Sequence, residues 1–518
     1  MVNSDAGDLA WLAGELSAIR RELLPAGESR ALYLALDQGG TSSRAVIFDS
    51  MGREVASAHA PIATNRPDAV RVEHDAEVLV QSLVTAARDA CDSPLVGDRP
   101  IVAAGLATQR STICCWDRND GSALGPAISW QDRRNAAWLE ARLGARAGWV
   151  RELTGLPLSP HYGASKLRWC LEELPEVRLA LRDERLAMGP LAAFLLHRLC
   201  EERPLLVDPA NASRTLLYDP AILDWSQPLL EAFEIPRDAL PRCVGTGHDF
   251  GTLQLDTGRR IPLRASSGDQ SAAIFAFGTP AATTAFVNAG TGAFVQRVLR
   301  ESTGGGPRGL LRSVVYARTD EPASAVYCLE GTVNGAYAAI EWAATRAGLD
   351  PKRALAVLGK APSEDLGLLF MNGIGGLGAP YWLPDFTSEF VPVPGSSVDP
   401  GSATGLQQIA AVVESVAFLV AVNVLAMNRA APLKHLVITG GLAASDYLCE
   451  VLADVTGMPV ERPAVHEATA RGIAFLAAGQ PQDWQPVPVE RTFTPARRAA
   501  MVDRFDLWRD AMAQRGAR

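Results

Sequence analysis

Residues 31–49 read ALYLALDQGGTSSRAVIFD, two apolar, β-prone runs joined by a small turn of glycines and hydroxyls. Residues 283–299, TTAFVNAGTGAFVQRVL, repeat that build. Such a unit buries both arms and leaves its turn for chemistry. Its recurrence about 250 residues on (283 against 31) predicts two domains of related build facing one another, with a ligand between them. A chain of 518 residues is in any case too long for one ordinary core. Residues 100–117 (PIVAAGLATQRSTICCWD) predict two further strands, and residues 75–91 (DAEVLVQSLVTAARDAC) carry helical periodicity. Residues 433–457 (LKHLVITGGLAASDYLCEVLADVTG) read as strand, Gly-Gly turn and helix. Strands followed by helices at this scale mean an α/β fold.

With 48% hydrophobic and 21% charged residues, the chain has the make-up of a soluble globular protein. A net charge of −9 argues against nucleic acid or an anionic membrane as partner, since those surfaces need clustered Lys and Arg. Phosphate ligands remain compatible, because backbone N–H groups and one or two cations can hold them. Eight scattered cysteines without CxxC spacing point to reduced thiols and a cytoplasmic protein, and the seven histidines form no zinc motif. No apolar run is read as membrane-spanning, and the acidic start is unlike a signal peptide. Leu12, Leu16, Ile19 and Leu23 recur at helical spacing until Pro25 and Gly27, so residues 1–30 are expected to hold a short amphipathic helix.

The first turn suits a phosphate. Gly39 and Gly40 let the backbone approach closely, Thr41, Ser42 and Ser43 add hydroxyl donors, and Arg44 adds a charged fork. Asp37, at the strand end, cannot help to bind a bare phosphate. It makes sense beside Mg²⁺, which is held through one or two carboxylates and retained waters. The competing reading is an ordinary hairpin with a polar turn. In ASSGDQSAAIFAFG, Asp269 stands where a helix starts, so it is either a cap or a general base for a hydroxyl attacking a γ-phosphorus. Arg110 lies just beyond a buried strand, where a substrate could meet it. Trp130 precedes Asp132, Arg133 and Arg134, a cluster whose simplest reading is a solvated surface.

Together these stretches resemble the FGGY family of carbohydrate kinases, in its glycerol-kinase-like branch. LDQGGTSSRAVIFD, TQRSTICCWD, AISWQDRR, TGLPLSPHYGASKLRW, GDQSAA, AGTGAF, CLEGTV, GLGAPYW, TGGLAAS and ERPAVHEATARGIAFLA occur in the family's order, from about residue 31 to near the C-terminus. The resemblance implies a two-domain, actin-like (ribonuclease H-like) α/β ATPase fold with its active site in the interdomain cleft. Residues 31–278 would form the substrate- and phosphate-binding domain and 279–518 the nucleotide-binding domain. ATP and Mg²⁺ are the implied cofactors and a small polyol or sugar the implied partner, and the family commonly forms dimers or tetramers. By motif match, Asp37 would organise the metal and Asp269 would be the base. Gly39, Gly40, Thr41, Ser42, Arg44, Gly290 and Thr291 would meet the phosphates, with Gly440, Gly441 and Ser445 at the adenosine. Arg110, Ser111, Trp130, His161, Gln270 and Phe294 would line the acceptor site.

Departures from glycerol kinases bear on that acceptor. QRE reads QRS, so Ser111 replaces a carboxylate that accepts polyol hydrogen bonds, and the tyrosine of PYF reads His161. DQGTT has become DQGGT, with Gly40 losing one hydroxyl, while Tyr337 and Glu341 stand where the family commonly has glycine and glutamine. Three readings follow: a kinase for a four- or five-carbon polyol or ketose, a glycerol kinase proper, and a silent ATP- or sugar-binding regulator.

Overall fold

The computed structural model describes residues 30–255, 258–300, 307, 309–319, 321–358, 366–396, 398–465, 467–496 and 498–517. The helix expected within residues 1–30 lies outside the described residues. The chain forms two compact units, one from Met1–Thr279, Ser313–Val326 and Glu467–Pro486, the other from Pro280–Arg312, Tyr327–His466 and Val487–Arg518. By compactness, two later segments, Ser313–Val326 and Glu467–Pro486, group with the first unit.

The first unit is built on a six-stranded sheet. Its strands are β1 (Leu32–Gln38), β2 (Ser42–Asp49), β3 (Glu54–Pro61), β4 (Ile101–Thr108), β5 (Gly251–Gln254) and β6 (Arg260–Gly268), in the order β5-β6-β4-β1-β2-β3. β1 and β2, and β2 and β3, pair antiparallel, whereas β4 pairs parallel with both β1 and β6. β1 is buried along nearly its whole length, which is why it reads as a continuous apolar run rather than an alternating one. Helix α1 (Ala76–Cys91) starts on Asp75, whose carboxylate accepts the Glu77 and Val78 N–H groups. Its Leu79, Leu83, Ala86 and Ala90 are buried, and it packs against β2 and β3. Helices α2 (Gly163–Glu173) and α3 (Asp269–Ala273) carry residues of the site described below.

Helix α4 (Ala468–Ala477) is the segment of residues 467–486 that packs against β1, β4 and β6. It comes close because small residues face it. A Cβ on Gly105 of β4 would lie 2.7 Å from the Ile473 carbonyl oxygen, and one on Gly472 would overlap the Ala272 carbonyl of α3. Backbone cannot yield as a flexible side chain can, so Gly472→Ala is expected to destabilise the protein by about 3 kcal/mol. Urea unfolding of the purified variant reads this directly, and an unchanged midpoint would contradict the packing argument.

A seven-stranded sheet, built mostly from second-unit residues, repeats the pattern, although Ser313–Val326 within it are grouped with the first unit. Strands β7 (Thr284–Ala289), β8 (Ala293–Leu299), β9 (Leu311–Arg318), β10 (Glu321–Val333), β11 (His435–Thr439), β12 (Val460–Pro463) and β13 (Val489–Phe493) lie in the order β9-β10-β8-β7-β11-β12-β13. β7/β8 and β8/β10 are antiparallel, β7/β11 and β11/β12 parallel, and β12/β13 antiparallel. With β9 set aside, this is the same succession as β3-β2-β1-β4-β6-β5, so the two polar turns, β1–β2 and β7–β8, occupy equivalent places in two like sheets.

The core of the second unit contains the helix Gly405–Ala430, started by a reciprocal cap between Thr404 and Gln407. It corrects the expectation that no segment has membrane-spanning character: by length and composition this helix is apolar enough to cross a membrane. Most of its apolar window (83%) is buried within the protein. Its buried Glu414 accepts hydrogen bonds from Tyr447 and Arg504 of neighbouring elements, as a core helix permits and lipid does not.

Candidate active site

Strand register brings the acids of the first unit to one edge. Asp37 lies level with Ala107 of β4, which lies level with Ser267 of β6. The carboxyl ends of three adjacent parallel strands thus coincide, and the next residues, Gln109–Arg110 after β4 and Asp269 after β6, emerge beside Asp37. The edge beyond such strand ends is where open α/β sheets place ligands. Gly268 matters here, because a Cβ on it would collide with the Arg110 side chain. Arg110 crosses that gap and places Nε 3.8 Å from Asp269 Oδ1.

Arg44 is the cross-strand partner of Asp37 in the β1–β2 hairpin, and its Nη1 lies 3.5 Å from Asp37 Oδ2. The same Nη1 lies 3.7 Å from Oε2 of Glu467, the residue immediately before α4. Asp37 is 4% exposed. Burial pushes its carboxyl up to about 7, the charges of Asp269 and Glu467 add to that, and Arg44 opposes it. Two arginines, Arg44 and Arg110, and three acids therefore meet at the strand ends, and burial, helped by the two neighbouring acids, keeps Asp37 from ionising at its ordinary value.

The turn between β1 and β2 closes through a hydrogen bond from Gly39 N–H to the Ser42 carbonyl (3.1 Å), and Gln109 Nε2 donates to the Gly39 carbonyl (3.2 Å). Gly39, Gly40 and Ser42 are half-buried and Thr41 is exposed. Ser43 differs. It is fully buried, donates to Gln38 Oε1 and shares a hydrogen bond with Ser82, so its hydroxyl braces the hairpin.

Around Arg110 the first unit gathers four more of the sequence candidates. Ser111 is 3% exposed, has a left-handed backbone (φ 65°), and its hydroxyl has no hydrogen-bond partner among the described residues. Trp130 hangs from Thr112, whose Oγ1 accepts its N–H at 3.1 Å, and its ring lies 5.6 Å from that of His161. Gln270 follows Asp269 directly, its N–H donating to Asp269 Oδ1 at 2.7 Å. The solvated-surface reading of Asp132–Arg134 fails for two of its three members: Asp132 is 0% and Arg134 5% exposed. Asp132 accepts from Val72 N–H and Arg134, and Arg134 also reaches Glu73 and stacks over Trp169. A charge run in sequence says nothing of whether its ions find partners, and these do.

The structure adds two residues that sequence reasoning passed over. Glu467 stands inside ERPAVHEATARGIAFLA, and an acid just before a helix at a phosphate-type site was the available signal. Lys166, 1% exposed in α2, is the other. Its Nζ donates to the carbonyls of Ser111 (3.1 Å), Ser129 (2.8 Å) and His161 (2.7 Å). Burial pushes its pKa down to about 7 and the Asp132 carboxylate opposes that shift. The lysine stands inside TGLPLSPHYGASKLRW, where the sequence showed the residue but not its burial.

In the second unit, the β7–β8 turn closes through Gly290 N–H to the Gly292 carbonyl (2.8 Å) and exposes Thr291. The Gly290 carbonyl accepts the Tyr337 N–H, and the Thr291 carbonyl accepts those of Ala336 and Ala338, so this turn caps the helix Tyr337–Arg346. Phe294 lies on β8, half-buried. After β11, Gly440 has φ 88° and no room for a Cβ beside the Ala289 carbonyl, whereas Gly441 opens on free space. Ser445 is committed locally: its hydroxyl accepts the Leu448 N–H as the cap of the helix Asp446–Thr456. All eight cysteines are free, seven of them buried.

Comparison with known proteins finds two family domains in succession along the chain. The model of the FGGY carbohydrate kinases' N-terminal domain matches residues 32–276, and that of their C-terminal domain matches 285–480. A glycerol kinase of Geobacter sp. (strain M21) is 34% identical over 450 residues, covering 86% of this chain and 89% of the relative. Among solved structures, the Plasmodium falciparum glycerol kinase with ADP superposes with a TM-score of 0.84 at 22% identity, over 94% of this chain and 98% of that one. A ligand-bound xylulose kinase of Lactobacillus acidophilus does so with a TM-score of 0.80 at 20% identity, over 94% and 99%. With both domain models matched along most of its length, the chain belongs to the FGGY family of carbohydrate kinases, two-domain phosphotransferases with an alcohol group as acceptor.

Proposed function

We propose that this kinase transfers the γ-phosphoryl group of ATP to a hydroxyl of a four- or five-carbon polyol or ketose in preference to glycerol, with Asp269 as general base. The observation that carries the chemistry is the meeting of Asp37, Arg110 and Asp269 at the ends of three adjacent strands. The acceptor oxygen forms its bond to the γ-phosphorus as Asp269 takes the hydroxyl proton. The bond from phosphorus to the β–γ bridging oxygen breaks, and ADP leaves with that oxygen. Arg110 holds the Asp269 carboxylate near the acceptor, and Thr41, Ser42, Arg44 and the Gly40 N–H meet the phosphates from the first unit, where Gly39 lets the backbone come close while its own N–H closes the turn. Gly290, Thr291, Gly440, Gly441 and Ser445 are the nucleotide residues of the second.

Mg²⁺ fits the donor set. Among the described residues no cluster of three or more His, Cys, Asp or Glu forms an all-protein cage. A single buried carboxylate crowded by two further acids suits a cation that keeps most of its waters. Asp37 would hold it, and it would neutralise phosphate charge when bound.

The acceptor preference rests on Ser111. Its buried, unpartnered hydroxyl stands where glycerol kinases have a carboxylate, and a charged acceptor lost to a buried polyol hydroxyl costs about 1.5–3 kcal/mol. The relatives named glycerol kinase favour the other reading, glycerol itself. A coupled ADP-release screen over glycerol, dihydroxyacetone, tetritols, pentitols, ketotetroses, ketopentoses and sugar acids separates the two. Faster turnover on a four- or five-carbon compound supports the preference, and glycerol as the best acceptor overturns it. ATP binding without turnover on any of these would leave the silent-regulator reading. The double variant Ser111→Glu/His161→Tyr is expected to raise kcat/KM for glycerol about tenfold or more. An unchanged value would contradict the role given to Ser111.

A further inference from the structure

Three separate segments carry four of the five first-unit acceptor residues: 109–112 with Arg110 and Ser111, 129–131 with Trp130, and 159–162 with His161. Each presents one backbone carbonyl to the same ammonium. Lys166 Nζ donates to the carbonyls of Ser111, Ser129 and His161, so all three of its protons are used. Among the described residues no carboxylate forms an ion pair with it, and its long side chain is enclosed. Burying an ammonium without a counter-ion is costly, and a core position served by an apolar residue would avoid that cost. Ser111 also sits in the left-handed region, an unusual conformation for a non-glycine residue that persists only where its surroundings hold it.

We propose that Lys166 is a positioning residue for the acceptor site: its ammonium ties the Ser111, Ser129 and His161 carbonyls to one point and so sets Arg110, Trp130 and His161 relative to one another. The placement of α2 supports this. Its first residue, Gly163, leaves no room for a Cβ against Ile113 (2.9 Å to Cγ2), and Ala164 N–H donates to the Thr215 carbonyl at 2.7 Å. The helix that carries the lysine is therefore anchored independently of the three carbonyls. The inference rests on the reading above, in which those residues grip the acceptor.

The test compares wild type with Lys166→Met, which keeps the length and apolar stem and removes the three donors. With glycerol and with the best acceptor of the screen, acceptor KM is expected to rise about tenfold or more while kcat changes less than about threefold and ATP KM less than about twofold. Hydrogen exchange should quicken in residues 109–112, 129–131 and 159–162 and stay unchanged in β1 and α1. Where Lys166→Met does not fold, Lys166→Gln, which retains two N–H donors, should give a smaller rise in acceptor KM and a smaller exchange change in the same segments. Unchanged acceptor KM and unchanged exchange in a folded variant would overturn the proposal. So would faster exchange throughout the first unit with kcat and ATP KM altered together, the result of a merely structural lysine. If no acceptor is turned over, the functional reading fails by itself, and the exchange experiment still decides whether Lys166 holds the three segments.

Discussion

Asp269→Asn is expected to slow phosphoryl transfer by about two to four orders of magnitude, while ATP affinity stays within a few-fold of wild type. The carboxylate is the group placed to receive the acceptor proton, and Asn keeps its shape without its basicity. The neighbourhood makes the expectation specific. Asp269 lies beside Arg110 and takes the backbone N–H of Gln270 on its Oδ1, so a neutral amide leaves Arg110 without this carboxylate and Asp37 with one repelling charge fewer. Single-turnover phosphorylation of the best acceptor, with nucleotide binding measured separately by calorimetry, distinguishes lost chemistry from lost binding. Transfer at a near wild-type rate would remove Asp269 from the role of base.

Asp37→Asn is expected to reduce activity about 100-fold or more and, in the absence of nucleotide and metal, to make the protein more stable at pH 8. The sign follows from where the proton sits. The folded protein holds the Asp37 carboxyl near 7, above its ordinary 3.8, because burial and the charges of Asp269 and Glu467 outweigh Arg44. Between about pH 4 and 7 the folded state therefore keeps a proton that the unfolded chain has released, and stability falls as pH rises through that window. Above it the full cost of a buried charge is present, on the order of 1–4 kcal/mol. Asn carries no titrating proton, so its advantage should be small near pH 4–5 and greatest at pH 8. Thermal unfolding in EDTA at both pH values reads the difference. Adding Mg²⁺ with ATP should stabilise wild type more than the variant, since a ligand stabilises by the affinity it has for the native state. Equal melting temperatures for the two proteins at pH 8 would mean that Asp37 is not held against its charge.

Both predictions concern residues visible in the sequence, and the reason is local. Asp37 and Asp269 each end a strand and begin a polar turn or helix, and residue type, periodicity and the neighbouring glycines mark such places without any knowledge of contacts. The same holds for the β7–β8 turn, for Gly440 and for the helix that Asp75 caps. Gly39 was legible as a glycine in a tight place, and Gly268 only as the residue before Asp269. That Gly268 makes way for Arg110 was not, because the arginine comes from a different strand.

By itself the sequence determined the strand–turn–strand units, the family to which the chain belongs, and the identity of both strand-end acids, since all of these lie in short windows where residue order is structure. Only the tertiary structure decided the rest. It placed Glu467 beside Arg44, buried Asp132 and Arg134 in a paired network, turned an apolar 26-residue helix into a core element, and brought three distant carbonyls to Lys166. The physical reason is the same in each case. Whether a charged or apolar side chain is buried, and with what partner, is fixed by packing between separate segments that local residue order does not pair, and burial is what gives those charges their energies.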